Sequence, residues 1–199
     1  MIGTKEKAWL LEYLQRYQEA LVRDEILESM AGLKALFQGC SAAGRKVIFA
    51  GNGGSAAIAS HCAVDFTKNA GIRSVNFNEA DLITCFANDY GYPHWLRKAL
   101  EFYADPGDVV VLISSSGKSP NILEAGHFAR EKGLPLVTFT GFEADNPLRQ
   151  LGVINFWVDS KAYNVIEMTH QTWLLAVCDL IIGKAEYPSR KEVDYALNG

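Results

Sequence analysis

The apolar run Lys46-Val47-Ile48-Phe49-Ala50 ends abruptly in the small polar loop Gly51-Asn52-Gly53-Gly54-Ser55. The same design recurs where Asp108-Val109-Val110-Val111-Leu112-Ile113 runs into Ser114-Ser115-Ser116-Gly117-Lys118-Ser119. Each is a strand, a loop of glycine and serine, and the start of a helix. A short apolar strand that leads into a helix must be buried on both faces, which only a mostly parallel, helix-covered sheet provides. The loops then open at the carboxyl ends of their strands, where such sheets bind ligands. Backbone N–H groups at the following helix start, joined by serine hydroxyls, suit an anion and above all a phosphate.

The rest of the chain fits this frame. Residues 5–38 carry Trp9, Leu10, Tyr13, Leu14, Tyr17, Leu21, Ile26, Leu27, Met30, Leu33 and Leu36 at helical spacing, with Arg23-Asp24-Glu25 and Gly32 marking a bend or a break. Such an arm packs either on its own domain or on a partner subunit. Strands are expected at 46–50, 74–77, 108–113, 135–139 and 153–158. Helices are expected at 54–68, 81–87, 93–104, 119–132 and 167–182, with a short one at 146–151. The expected architecture is α/β, a three-layer sandwich with a mostly parallel five-stranded sheet flanked by helices. One domain spans 1–199: an N-terminal helical arm to residue 45, a core over 46–186, and a loose tail from 187.

Composition excludes several classes. The 199 residues are 49% hydrophobic and 21% charged, enough to build a core. A net charge of −4 argues against direct nucleic-acid binding, which needs a basic face. Cys40, Cys62, Cys85 and Cys178 are widely spaced, as free thiols of a reducing compartment are. No apolar run reaches the roughly 20 residues of a membrane span, and the polar N-terminus does not resemble a signal peptide. A cytoplasmic protein without membrane contact is expected.

The candidate chemistry lies on helices. His61 and Asp65 are four apart, hence on one face, and suit either a metal or a base with its partner; such a pair is also a common structural device. Glu167 and His170, three apart, interrupt an otherwise apolar helix, and Gln171 follows them. Asn88-Asp89 either ends a helix or presents an amide and a carboxylate to sugar hydroxyls. Ser55, Ser114, Ser115, Ser116 and Ser119 supply hydroxyls to the loops, with simple capping as the alternative.

Taken together, these motifs resemble the sugar isomerase (SIS) family and, within it, the phosphoheptose isomerase group. The shared pattern is Gly-Asn-Gly-Gly-Ser, a helix with His and an acid four apart, Asn-Asp, and Ile-Ser-x-Ser-Gly-x-Ser. The resemblance covers residues 10–185 or so. It implies an aldose–ketose isomerase that takes sedoheptulose 7-phosphate to D-glycero-D-manno-heptose 7-phosphate through an enediol, in a homotetramer with sites between subunits. It implies that Asn52, Gly53, Gly54 and Ser55 meet substrate, that Ser114, Ser116 and Ser119 hold phosphate, and that Asn88 and Asp89 lie beside the sugar. It also implies zinc, with His61, Asp65 and Glu167 as metal ligands and no nucleotide cofactor. The family's Glu is Asp65 here, its Gln is Glu167, and its last-helix histidine is Leu175. Asp65, Glu167 and His170 are therefore the catalytic candidates, with His170 standing in for the lost histidine or the chemistry altered. The alternatives are a sister group that binds a replication initiator without catalysis, and an isomerase of another phosphosugar.

Overall fold

The computed structural model describes residues 2–187, so most of the expected loose tail lies outside the described residues. The elements are α1 (Thr4–Leu21), α2 (Asp24–Ala42), β1 (Val47–Gly51), α3 (Gly54–Lys68), β2 (Ser74–Asn76), α4 (Ala80–Tyr90), α5 (Trp95–Tyr103), β3 (Val109–Ser114), α6 (Pro120–Glu131), β4 (Leu136–Thr140), β5 (Ile154–Trp157) and α7 (Tyr163–Ile182). The five strands form one sheet in the order β2-β1-β3-β4-β5, and every pairing is parallel.

The two-residue period of a strand divides the core. In β1, Val47 and Phe49 face one side while Ile48 and Ala50 face the other. In β3, Val109, Val111 and Ile113 oppose Val110 and Leu112 in the same way. The first side is covered by α2, α3 and α7, where Phe37, Phe49 and Phe66 pack ring against ring. The second side is covered by α5 and α6 through Trp95, Leu96, Leu100, Ile122 and Ala125. At the amino ends of β1 and β3 the Lys46 ammonium lies 2.6 Å from Asp108 and 2.7 Å from Asp105, and Asp108 also accepts the Lys46 and Asp105 backbone amides. Burial works to lower the Lys46 pKa, but the hydrogen bonds it donates to the two carboxylates outweigh it and raise the group above its ordinary value.

Three expectations need correction. Residues 146–151 form turns rather than a short helix, because Asn146 Oδ1 accepts the Arg149 amide and its Nδ2 donates to the Glu143 carbonyl. The arm breaks into two helices at Val22–Arg23, as the Arg23-Asp24-Glu25 signal suggests, but Gly32 marks no break and lies inside α2. The last helix starts a turn earlier than expected and is long and apolar enough to cross a membrane by composition alone. Its apolar residues are instead spent on the core, with Val165, Ile166, Trp173, Leu174, Val177 and Cys178 buried. All four cysteines are free.

The catalytic assignment of His170 is also corrected. The ring is fully buried, its Nε2–H donates to the Thr140 carbonyl at 3.0 Å, and Phe139 meets it edge-on. It points into the core between β4 and α7, away from solvent. Burial pulls its pKa down to about 4, against the opposing pull of the Thr140 hydrogen bond. His170 therefore stays neutral in the native chain at pH values where the unfolded chain takes up a proton. Stability is fully present above about pH 6.5 and declines as the pH falls towards 4. Melting temperatures measured across that range should show the decline in the wild type and a shallower slope in His170→Asn; equal slopes would contradict it.

Candidate functional site

The strand order reverses between β1 and β3, whose crossovers leave towards opposite faces of the sheet. Their carboxyl ends are neighbours, with Gly51 paired to Ile113. A cleft of about 130 Å³ opens there, lined by Asn52, Ser55, Ile113, Ser114, Ser115, Ser116, Ser119, Tyr163 and Glu167. The two loops thus meet at one point, as their sequence placement requires.

Each loop is braced by a glycine. In the first, Gly53 turns at φ 55° and Gly54 opens α3. A methyl group on Gly54 would overlap the Glu167 carboxylate, so the missing side chain is what admits Glu167 to the cleft. In the second, Gly117 has φ 62°, and a Cβ there would overlap the Asn146 amide. The turns that replace the expected helix at 146–151 therefore support the serine loop from behind.

The donors converge on the cleft. Ser119 is the N-cap of α6, with Pro120 following it, and its hydroxyl makes no capping bond. The buried Ser115 hydroxyl has no protein partner among the described residues. Ser116 Oγ accepts the Lys118 amide at 3.3 Å, and Ser55 is buried in the first turn of α3. The first turns of α3 and α6 add backbone N–H groups that no helical carbonyl can satisfy. Lys118 itself is exposed and lies outside the lining.

Two residues hold the loops together that the sequence did not single out. Asn121, 1% exposed, exchanges both amide hydrogen bonds with Asn52 at 2.9 Å, and Tyr92 donates to Asn52 Oδ1 at 3.3 Å. Tyr163 stands at the rim, against Phe142 with ring centroids 5.0 Å apart. Phe142 carries the one positive φ of a non-glycine residue among those described, 53°. The signals were faint: a polar side chain just inside a Ser-Pro helix start, and an aromatic at the head of an apolar helix.

Other assignments are not brought to the cleft. Asn88 and Asp89 are exposed on α4, where Asn88 Nδ2 donates to Asp89 Oδ1 at 2.9 Å. Neither lines the cleft within the single chain, although Tyr92, just beyond the end of α4, reaches Asn52. His61 and Asp65 lie further along α3, with His61 Nε2 3.2 Å from Asp65 Oδ2 and His61 Nδ1 3.1 Å from the Gln171 amide nitrogen.

The zinc set does not assemble. Among the described residues no three His, Cys, Asp or Glu side chains come together as metal ligands. Glu167 reaches Gly54 rather than His61, His61 Nδ1 faces the Gln171 amide, and Leu175 packs against the core. The residues present do not fit the metal site that the resemblance implies.

Comparison with known proteins agrees with the fold and the loops. The SIS domain matches residues 11–141. The phosphoheptose isomerase of Geobacter sulfurreducens is 36% identical over 169 residues, covering 82% of this chain and 88% of its relative. That of Burkholderia pseudomallei is 35% identical over 176 residues, covering 84% and 88%. The solved phosphoheptose isomerase of Neisseria gonorrhoeae superposes with a TM-score of 0.78 at 29% identity, over 89% of this chain and 97% of that one. By its motifs, its five-stranded parallel sheet and these relatives, the chain belongs to the SIS-domain family and, within it, to the phosphoheptose isomerase group.

Proposed function

We propose that the protein is a phosphosugar aldose–ketose isomerase whose substrate is sedoheptulose 7-phosphate and whose product is D-glycero-D-manno-heptose 7-phosphate. The observation that carries this is one cleft holding two different things: an anion cradle made by both serine–glycine loops, and a carboxylate, Glu167, on the facing helix. The relatives named phosphoheptose isomerase support the choice of sugar.

In this reading the phosphate sits among Ser55, Ser114, Ser115, Ser116 and Ser119 and fixes one end of the open-chain sugar. The Glu167 carboxylate removes the proton on the carbon next to the carbonyl and returns it to the former carbonyl carbon. A hydroxyl proton moves between the two oxygens of the enediol in the same cycle. Holding the chain in this geometry removes much of the entropic cost of the reaction, and the positioned carboxylate contributes about 10²–10⁴-fold in rate. Tyr163, four residues before Glu167 on the same face of α7, closes the rim over the polyol.

The subunits work as a homotetramer in the cytoplasm. Four free cysteines suit that compartment. Helix α1 buries none of its residues and exposes Trp9, Leu10, Leu11 and Leu14, an apolar face that another copy of the chain would cover.

Three outcomes follow. Purified protein given sedoheptulose 7-phosphate should form the aldose phosphate, and Ser116→Ala and Ser119→Ala should each raise KM about tenfold, since a hydrogen bond to a charged group is worth about 1.5–3 kcal/mol; unchanged KM in both would remove the phosphate assignment. Glu167→Gln should keep KM near its wild-type value and lower kcat by about 10²-fold or more, and a fully active variant would place the base elsewhere. Sedimentation at micromolar concentration should give a tetramer that Trp9→Glu with Leu14→Glu dissociates, whereas a wild-type monomer would refute the assembly.

A further inference from the structure

Helices α3 and α7 turn a short row of polar side chains towards each other, leading away from the cleft. Glu167 meets α3 at Gly54, and one turn further along α7 Gln171 meets it at His61. The Gln171 amide nitrogen, 3.1 Å from His61 Nδ1, is a donor, so Nδ1 carries the lone pair. The proton is then on Nε2, which lies 3.2 Å from an Asp65 carboxylate oxygen. The Gln171 contact sets this tautomer, and the position of Asp65 is compatible with it. A metal ion would enter only by displacing Gln171 from Nδ1 or the proton from Nε2. Leu175, one turn beyond Gln171, offers it no ligand atom.

We infer that Gln171 stands where a metal would otherwise act: it is a positioning residue that holds His61 as the Nε2–H tautomer against Asp65, and the site works without metal. The inference rests on the isomerase reading for its kinetic consequence alone, because the tautomer and the refusal of zinc are properties of the free protein. A bound metal normally orients a histidine and fixes its protonation; here a side-chain amide does both.

The test uses the full-length protein labelled with ¹⁵N, without substrate. Long-range ¹H–¹⁵N spectra of the imidazoles should show His61 protonated at Nε2 alone, and one equivalent of zinc should leave both of its signals in place. In Gln171→Leu the two tautomers should mix. In Gln171→Glu the Nδ1 position should become a donor. A chelator should leave wild-type kcat unchanged. Zinc shifting both His61 signals at one equivalent, a chelator abolishing turnover, or Gln171→Leu keeping the wild-type tautomer would each overturn the inference. A wild-type protein that turns over no heptose phosphate would sink the isomerase reading, and the tautomer and zinc measurements would still decide this one.

Discussion

The parallel pairing of β1 with β3, from Val47↔Val109 to Gly51↔Ile113, sets where everything else can stand. Because β1 feeds α3 on one face and β3 feeds α6 on the other, the two loops are forced side by side at the carboxyl ends of their strands. The pairing is held at both ends by polar contacts. Lys46 and Asp108 lock the amino ends, and the reciprocal amides of Asn52 and Asn121 lock the loops. A slip of one residue would turn Phe49 and Ile48 to the wrong layers, so the hydrophobic pattern fixes the same register that the polar contacts do.

The electrostatics of the cleft are unusual for an anion site, because among the described residues no lysine or arginine lines it. Hydroxyls, free amides and the positive ends of two helices supply the attraction. Glu167 on the facing wall then does more than carry a reactive oxygen. In the proposed reaction it would repel a phosphate that enters the wrong way round, so the carboxylate assigned to the polyol would also orient the substrate. Gly54 is the reason it can sit there.

Much of this was legible beforehand. Apolar runs bounded by glycine and serine located all five strands within a residue or two, and two loops with identical logic implied a shared pocket. What failed was facing. His170 lies three residues from Glu167, and helical spacing puts both on one side. But α7 is packed against the sheet and against α2 and α3, so a rotation of a hundred degrees or so separates solvent from core. Tertiary burial thus took His170 inward while Glu167 kept the cleft. The Asn121–Asn52, Tyr92–Asn52 and Gln171–His61 contacts join residues 40 to more than 100 positions apart, beyond the reach of any window. The turns at 146–151 were misread because Asn146 uses its side chain to close them, competing with the helix its neighbours would favour.

The position of the cleft between two separate cores has a thermodynamic side. One wall hangs on α3 and the Phe37–Phe49–Phe66 cluster, and the other on α6 and the Trp95–Leu100 cluster. A bound phosphate bridges the two, so it acts as a removable cross-link between layers that otherwise meet only through the strands. Ligand that binds the native chain alone adds RT ln(1 + [L]/Kd), about 2.7 kcal/mol at a hundredfold excess over Kd. The cohesion of the two halves, and with it the lifetime of the folded chain, therefore rises and falls with the concentration of the sugar phosphate around it.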